Sequence, residues 1–121
     1  MSIGIETRLS EQIARYLDLA TSEAKLTVAN MANIDTPGYS TVGMDFDAEM
    51  RAAMADIDRG QAPTAVHVLS VDGLIARPDG NNVSMDREGL NLAEAQLRFK
   101  TGVTLLREEY QRVLDAIHAD K

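Results

Sequence analysis

The sequence predicts a mainly α-helical fold in which a long N-terminal helix and a long C-terminal helix pair antiparallel as a coiled coil. Near both ends of the 121-residue chain, apolar or small residues recur at steps of three and four. The two sets of steps match when one is reversed, as expected of helices that lie side by side in opposite directions. Aromatic residues make up only 4% of the chain, so the core must consist of thin side chains.

The N-terminal helix is predicted from a stripe with steps of 4, 3, 4, 4, 3, 4 and 3. Its members are Leu9, Ile13, Tyr16, Ala20, Ala24, Thr27, Met31 and Ile34. The extra step of four is a stutter, which locally relaxes a coiled coil. Pro37 disfavours helix at Thr36, and Pro37-Gly38 suits the central positions of a type II turn, so the helix must end there.

A short middle helix is predicted from Phe46 to Arg59. Asp45 is an acceptable N-cap, and Gly60 with Pro63 ends the helix. The acidic residues of this helix are predicted to form a solvated face.

A small hairpin or irregular segment is predicted after the middle helix. Val66 and Val68 alternate with other residues as in a strand, and Asp72-Gly73 can form a two-residue turn.

The C-terminal helix is predicted to begin after Ser84, its N-cap. Its stripe has steps of 3, 4, 3, 4, 4, 3 and 4 through Leu92, Ala95, Phe99, Gly102, Leu106, Tyr110, Val113 and Ile117. Gly89 and Gly102 weaken the helix by about 1 kcal/mol each relative to alanine. Gly102 lies on the stripe, so it predicts the close approach of another helix.

The length of the chain favours one architectural unit with three segments. We assign residues 1–42 to the N-terminal helix and turn, 43–83 to a variable middle segment, and 84–121 to the C-terminal helix. Two thin helices bury little apolar area, so neighbouring molecules are expected to complete the burial, although matched steps could arise in any two amphipathic helices.

The composition disfavours several classes of partner. Nineteen acidic and twelve basic residues give a net charge of −7, which repels nucleic acids and anionic membranes. There is no cysteine, no apolar run of transmembrane length and no cleavable signal, so we predict no membrane insertion. Any export would have to use an uncleaved N-terminal segment.

The sequence contains no pattern typical of an enzyme, and we predict no catalytic, cofactor-binding or metal-binding residues. His67 and His118 lie far from each other and from any nucleophile motif.

The segment "RPDGNNVSMDRE" has superficial features of a calcium loop, with Asp79, Asn81 and Glu88 at ligand positions. However, Arg77 occupies the first position and Asn82 the sixth, where glycine is needed. A turn that leads into a helix cap is therefore predicted instead.

Two asparagines precede the first turn in the stretch "ANMANIDTPGYS". Asn30 and Asn33 lie on one helix face, where each amide can both donate and accept hydrogen bonds. They could cap the broken helix end within the chain, or they could bind a packed neighbour. The spacing alone favours neither interpretation.

The stretch "ANMANIDTPGY", residues 29–39, resembles the N-terminal signature of the bacterial flagellar axial proteins, the rod and hook family. The matching positions are Asn30, Asn33, Thr36, Pro37, Gly38 and Tyr39. Residues 77–88 look like the segment that precedes the C-terminal helix in proximal rod subunits of that family. Residues 43–76 match no pattern of the family, and Gly89 and Gly102 depart from it.

The resemblance implies a structural subunit of the proximal rod of the flagellar basal body, in the periplasmic space. Such a subunit is exported unfolded by the flagellar type III apparatus, polymerises helically through its terminal helices and is needed for motility. The implied partners are other copies of the chain, other rod proteins, ring or ring-rod junction proteins of the basal body, and the export apparatus. No cofactor is implied. The expected packing residues are Leu9, Ile13, Tyr16, Met31, Leu92, Phe99, Leu106, Val113 and Ile117.

A second hypothesis is a small cytoplasmic helical adaptor or chaperone that binds a partner helix in solution. It would use the same apolar stripes, but it would be stably folded on its own.

Overall fold

The structure is a computed structural model that describes residues 7–119. In chain order its elements are α1 (Arg8–Ala32), β1 (Val42–Gly43), α2 (Phe46–Asp58), β2 (Leu69–Ser70) and α3 (Met85–Ala119). Residues 1–6 and 120–121, which belong to the predicted terminal segments, lie outside the described residues. Within the described part of the chain, no helix is both long and apolar enough to cross a membrane.

The long helices α1 and α3 pack against each other in antiparallel orientation, as predicted. Side-chain contacts join them in opposite order along the chain: Thr7 to Glu109, Glu23 to Arg98, and Asn30 to Glu88. The predicted long antiparallel pair is therefore confirmed.

The seam of α3 follows a heptad repeat. Every seventh residue is buried, namely Glu88, Ala95, Gly102 and Glu109. A Cβ atom on Gly102 would lie 2.6 Å from Leu17 Cδ2, so the missing side chain is what allows α1 to come this close. The predicted close approach at Gly102 is confirmed.

The structure leaves three residues of the predicted α3 stripe exposed, namely Phe99, Tyr110 and Ile117. The stripe contained Tyr110, but the structure buries Glu109 and leaves Tyr110 exposed. Burial of Glu109 is possible because its carboxylate accepts hydrogen bonds from the Thr7 hydroxyl and the Arg112 guanidinium. The heptad repeat therefore continues through residue 109.

Helix α2 begins as predicted and packs on α1. The Asp45 side chain accepts a hydrogen bond from the Ala48 N–H at 3.1 Å and so caps the helix. The Phe46 ring packs edge-on against Tyr16, with ring centroids 5.5 Å apart. The guanidinium of Arg98 on α3 lies 4.1 Å from the centre of the Phe46 ring, so a cation–π contact joins α2 to α3.

The acidic face predicted for α2 is solvated only in part, because Glu49 and Asp56 are buried. The Glu49 carboxylate accepts a hydrogen bond from the His67 N–H and contacts its ring Nδ1, both at 2.9 Å. Asp56 pairs with Arg59 at 3.1 Å. These partners compensate for the lost solvation, which the charge pattern alone does not indicate.

The two strands form a small antiparallel sheet in which Val42 lies opposite Ser70 and Gly43 opposite Leu69. A strand forms at Leu69–Ser70, next to the predicted Val66 and Val68 rather than through them, and it pairs with the residues before α2 and not across the Asp72-Gly73 turn. The prediction of that turn was wrong because it considered local sequence only, whereas β1 is held in place by distant side chains.

Candidate functional site

The turn after α1 has the predicted geometry. The helix ends at its C-cap Asn33, and the Tyr39 N–H donates to the Thr36 carbonyl at 3.2 Å across Pro37-Gly38. Gly38 has φ of +75°, the value that the third position of a type II turn requires and that residues with a side chain rarely adopt. The chain therefore leaves α1 sharply and turns back along it.

Asn30 is 1% exposed, and its amide makes four hydrogen bonds. Its Nδ2 donates to the Val42 carbonyl at 2.8 Å and to Glu88 Oε1 at 2.7 Å. Its Oδ1 accepts from the Val42 N–H at 3.0 Å and from the Tyr39 hydroxyl at 2.9 Å. Since an amide offers two donors and two acceptor positions, Asn30 is saturated within its own chain.

Glu88 is fully buried at the first turn of α3. Its second carboxylate oxygen accepts a hydrogen bond from the Arg87 guanidinium at 2.7 Å, which compensates the buried charge. Burial raises the pKa of the Tyr39 hydroxyl, and the negative charge of Glu88 raises it further. Tyr39 is thus kept neutral and able to donate to Asn30.

Asn81 supplies the cap that the end of α1 needs. This fully buried side chain donates from Nδ2 to the carbonyls of Asn33 at 2.8 Å and Thr36 at 2.9 Å. Its Oδ1 accepts from the Val83 N–H at 2.9 Å. The carbonyls opened by the helix break are therefore satisfied from residue 81, 45 or more positions away in sequence.

The two turns are also joined by one hydrogen bond between backbone groups and one to a side chain. The Gly38 N–H donates to the Asp79 carbonyl at 2.8 Å, and Asn82 Oδ1 accepts from the Thr41 N–H at 2.7 Å. Gly80 has φ of +86°, and a Cβ there would lie 3.4 Å from Gly38 Cα. The two quoted motifs are therefore one site, which we call the asparagine cluster: Asn30, Asn33, Thr36, Gly38, Tyr39, Asn81, Asn82 and Glu88.

The side chains of the cluster are bonded to other groups of the same chain. Asp79 accepts from the Asn81 N–H at 2.9 Å, while the side chains of Asn81 and Glu88 point to separate partners. Among residues 7–119, no group of three or more acidic or histidine side chains is placed to hold a metal. The arrangement instead fixes the end of α1 against the start of α3.

Sequence reasoning found one half of the cluster and missed its partner. The motif predicts Asn33, Thr36 and Tyr39 as site residues, whereas the sequence around Asn81 and Asn82 predicts only a turn. No local signal pairs the two segments. Glu88 could have been found, because it starts the heptad repeat that continues through the small residues of α3.

The predicted packing residues fall into three groups. Ile13 is buried. Those half-buried are Tyr16, Met31, Leu92, Leu106 and Val113. Those exposed are Leu9, Phe99 and Ile117. The structure thus places six of the nine at least partly under other atoms, and their part in assembly stays a prediction.

One side of the long pair is open. Among the helices and strands of residues 7–119, α3 has close backbone contacts only with α1. Arg98 faces α2. On the other side of the α3 seam lie Phe99, Val103 and Tyr110, each about 40° to 100° around the helix axis from the nearest buried seam residue. We call these three residues the open face. Phe99 and Tyr110 are exposed and Val103 is half-buried.

Comparison with known proteins finds relatives over most of the chain, although no protein-family model matches it. It is 30% identical to the flagellar basal body rod protein FlgB of Salmonella typhimurium (strain LT2) over 122 residues, covering 84% of this chain and 86% of that protein. It is 26% identical to FlgB of Escherichia coli (strain K12), with coverage of 85% and 88%. It is 28% identical to FlgB of Cereibacter sphaeroides (strain ATCC 17023), with coverage of 88% and 91%.

Proposed function

Because the chain belongs to the family of the flagellar basal body rod protein FlgB, we propose that it polymerises helically into the proximal rod through α1 and α3. As a member of this family it is a structural subunit of the flagellar rod and is located in the basal body. The names of the relatives also favour a structural over an enzymatic role, and a rod subunit over a cytoplasmic adaptor.

The observation that carries the proposal is the open face. Helix α2 packs on one side of the long pair, and on the other side of the α3 seam Phe99 is exposed. Tyr110 is exposed too, although it shares a cavity with Ile57 and residues 60–62. Exposed apolar surface of this kind is typical of protein interaction sites, since burying it is favourable. In a polymer, a neighbouring subunit would cover this face.

The asparagine cluster supports the same function indirectly. It joins the end of α1 to the start of α3 through hydrogen bonds between residues of the same chain. The two helices would therefore reach an assembly interface as a pair with fixed relative positions, which lowers the ordering cost of binding. We assign the motif residues this positioning role, rather than direct contact with a neighbour.

Export through the flagellar type III apparatus is part of the proposal. The core contains few large side chains, as expected of a chain that is exported unfolded and gains stability when it binds other subunits. The partners would be other copies, other rod proteins, ring or ring-rod junction proteins, and the export apparatus. Loss of assembly would then abolish motility.

The proposal is tested by charging the open face. Phe99→Asp places a carboxylate in the proposed interface, whereas Ile75→Asp changes a side chain that is 91% exposed in the middle segment. We expect Phe99→Asp to reduce swarming to background and to be absent from isolated basal bodies, while its expression and export stay near normal. We expect Ile75→Asp to swarm normally. Rods of normal composition containing Phe99→Asp would rule out assembly through this face.

A further inference from the structure

The chain contains two Asp-Gly pairs, Asp72-Gly73 and Asp79-Gly80. Because glycine has no Cβ atom, its backbone nitrogen can approach the carboxyl carbon of the preceding aspartate with little steric hindrance. Asp-Gly is therefore the pair in which an aspartate side chain most readily closes onto the main chain. Since the two pairs share this local chemistry, a difference in their reactivity has to come from the surrounding structure.

The pair Asp79-Gly80 is held by hydrogen bonds to each of the groups that would have to move. The Gly80 N–H donates to the Arg77 carbonyl at 2.8 Å. The Asp79 carbonyl accepts from the Gly38 N–H at 2.8 Å, and Asp79 Oδ1 accepts from the Asn81 N–H at 2.9 Å. Ring closure would have to break these bonds, so the fold protects this pair.

The pair Asp72-Gly73 lies in a stretch without such bonds. The Val71 N–H donates to the Thr41 carbonyl at 3.1 Å, and the next backbone N–H with a partner in the described chain is that of Arg77. Among residues 7–119, no hydrogen bond or ion pair involves the Asp72 carboxylate or the Gly73 N–H. Both residues are exposed, and no atom lies within 4 Å of a Cβ atom built on Gly73. Rotation about this pair therefore breaks no hydrogen bond.

We propose that Asp72, but not Asp79, isomerises to isoaspartate without an enzyme. The Gly73 nitrogen attacks Cγ of the protonated Asp72 carboxyl group and forms a C–N bond. The carboxyl hydroxyl and the amide proton leave as one water molecule, which gives a five-membered succinimide ring. Water then adds to one of the two ring carbonyls and opens the ring.

The site of ring opening decides the product. Opening at Cγ restores aspartate, whereas opening at the original backbone carbonyl leaves the chain linked through the side chain of residue 72. The water lost in the first step returns in the second, so the mass is unchanged, and no oxidant or reductant takes part. The main chain gains one methylene carbon, and a carboxylate now stands on the α-carbon.

The fold accommodates this product at residue 72. The extra main-chain atom falls between the anchored N–H groups of Val71 and Arg77, so neither the small sheet nor the asparagine cluster has to give up a hydrogen bond. Isomerisation therefore changes the exposed surface of the middle segment with time while the fold persists.

The test uses the purified chain, kept for several weeks in warm buffer near neutral pH. Electron-transfer mass spectrometry of its peptides identifies isoaspartate at each position from the main-chain bonds that break. We expect at least about tenfold more isoaspartate at residue 72 than at residue 79, because the hydrogen bonds of Asp79-Gly80 oppose ring closure. In guanidinium chloride, which removes those bonds, the two amounts should agree within about twofold.

Asp72→Glu is the matched control. Glutamate keeps the charge, but it would have to close a six-membered ring, so this variant should form no isomerised product at residue 72 and should behave as the natural chain does at residue 79. Equal amounts at the two positions in the folded chain, or more at residue 79, would overturn the proposal. So would isoaspartate at residue 72 that appears only in denaturant, or not at all. Rod assembly plays no part in these measurements, so their result is independent of the proposed function.

Discussion

At the scale of single residues, side-chain amides take over hydrogen bonds that backbone groups make elsewhere. Asn30 pairs with the N–H and carbonyl of Val42, and Asn81 caps the carbonyls at the end of α1. Both side chains are almost fully buried. A buried polar group without a partner costs about 1–3 kcal/mol. Moving any segment that bonds to one of these amides would therefore be unfavourable, so each amide holds several segments in place.

We predict that Asn30→Asp destabilises the chain by more than about 3 kcal/mol, because it removes two donors and sets a carboxylate against buried Glu88. Asn33→Asp is the matched control. It loses one hydrogen bond to the Ala29 carbonyl at a half-buried position, so about 1 kcal/mol is expected. Urea unfolding followed by circular dichroism measures both, and equal losses would contradict the assigned role of Asn30.

The raised pKa of Tyr39 predicts that the free energy of unfolding depends on pH in the alkaline range. Its pKa is raised in the folded chain above the ordinary value of 10.0, so the folded state holds the phenolic proton more tightly than the unfolded state. The stability that this difference in proton binding contributes is complete below pH 10.0 and is lost as the pH rises through the raised pKa of the folded chain.

We therefore predict that Tyr39→Phe, which lacks the hydroxyl bonded to Asn30, is less stable than the natural chain by about 1 kcal/mol near neutral pH. The difference should shrink above about pH 10. Urea unfolding of both chains at about pH 8 and about pH 10.5 gives the comparison. A difference that stays constant or grows with pH would show that Tyr39 is not held neutral by its surroundings.

At the scale of elements, glycine has opposite effects at two positions of α3. Gly102 faces Leu17 and Tyr16 in the seam, and an added methyl group would lie 2.6 Å from the nearest atom. At Gly89 no atom lies within 4 Å of such a group. Alanine would raise the helix propensity at both positions. Only at position 102 would its methyl group also push against the neighbouring helix.

We predict that Gly89→Ala raises the free energy of unfolding by about 1 kcal/mol. Gly102→Ala should lower it by about 1 kcal/mol, since overpacking costs more than the gain in propensity. Thermal unfolding of the two variants beside the natural chain decides the point. Stabilisation by Gly102→Ala would mean that Leu17 moves aside without cost.

Local signals predicted the limits of the elements well. Asp45, Ser84 and the Pro37-Gly38 pair act on backbone within a few residues, and each marks a boundary that the structure contains. The partner of β2 and the burial of Glu109 depend on residues distant in sequence. Charged residues are usually exposed, so composition gives no signal for a buried, paired carboxylate, and only the heptad spacing with Ala95 and Gly102 indicates one.

At the scale of the whole molecule, the long pair is fastened near both ends. The asparagine cluster joins the end of α1 to the start of α3, and Glu109 joins the start of α1 to the later part of α3 through Thr7. Between these points the seam contains mainly small residues. Polar contacts thus set the register of the helices, while the close approach of their small seam residues leaves larger apolar side chains exposed on the open face.

The pairing of Asn30 with Val42 also protects the small sheet against aggregation. The N–H and carbonyl of Val42 are both bonded to the amide, although a strand at the margin of a sheet normally leaves such groups free. Free groups of this kind template the addition of strands from other molecules, which is a hazard where many identical chains are concentrated. Asn30 occupies this edge of β1 with a side chain, so Val42 offers no free backbone group to a strand of another molecule.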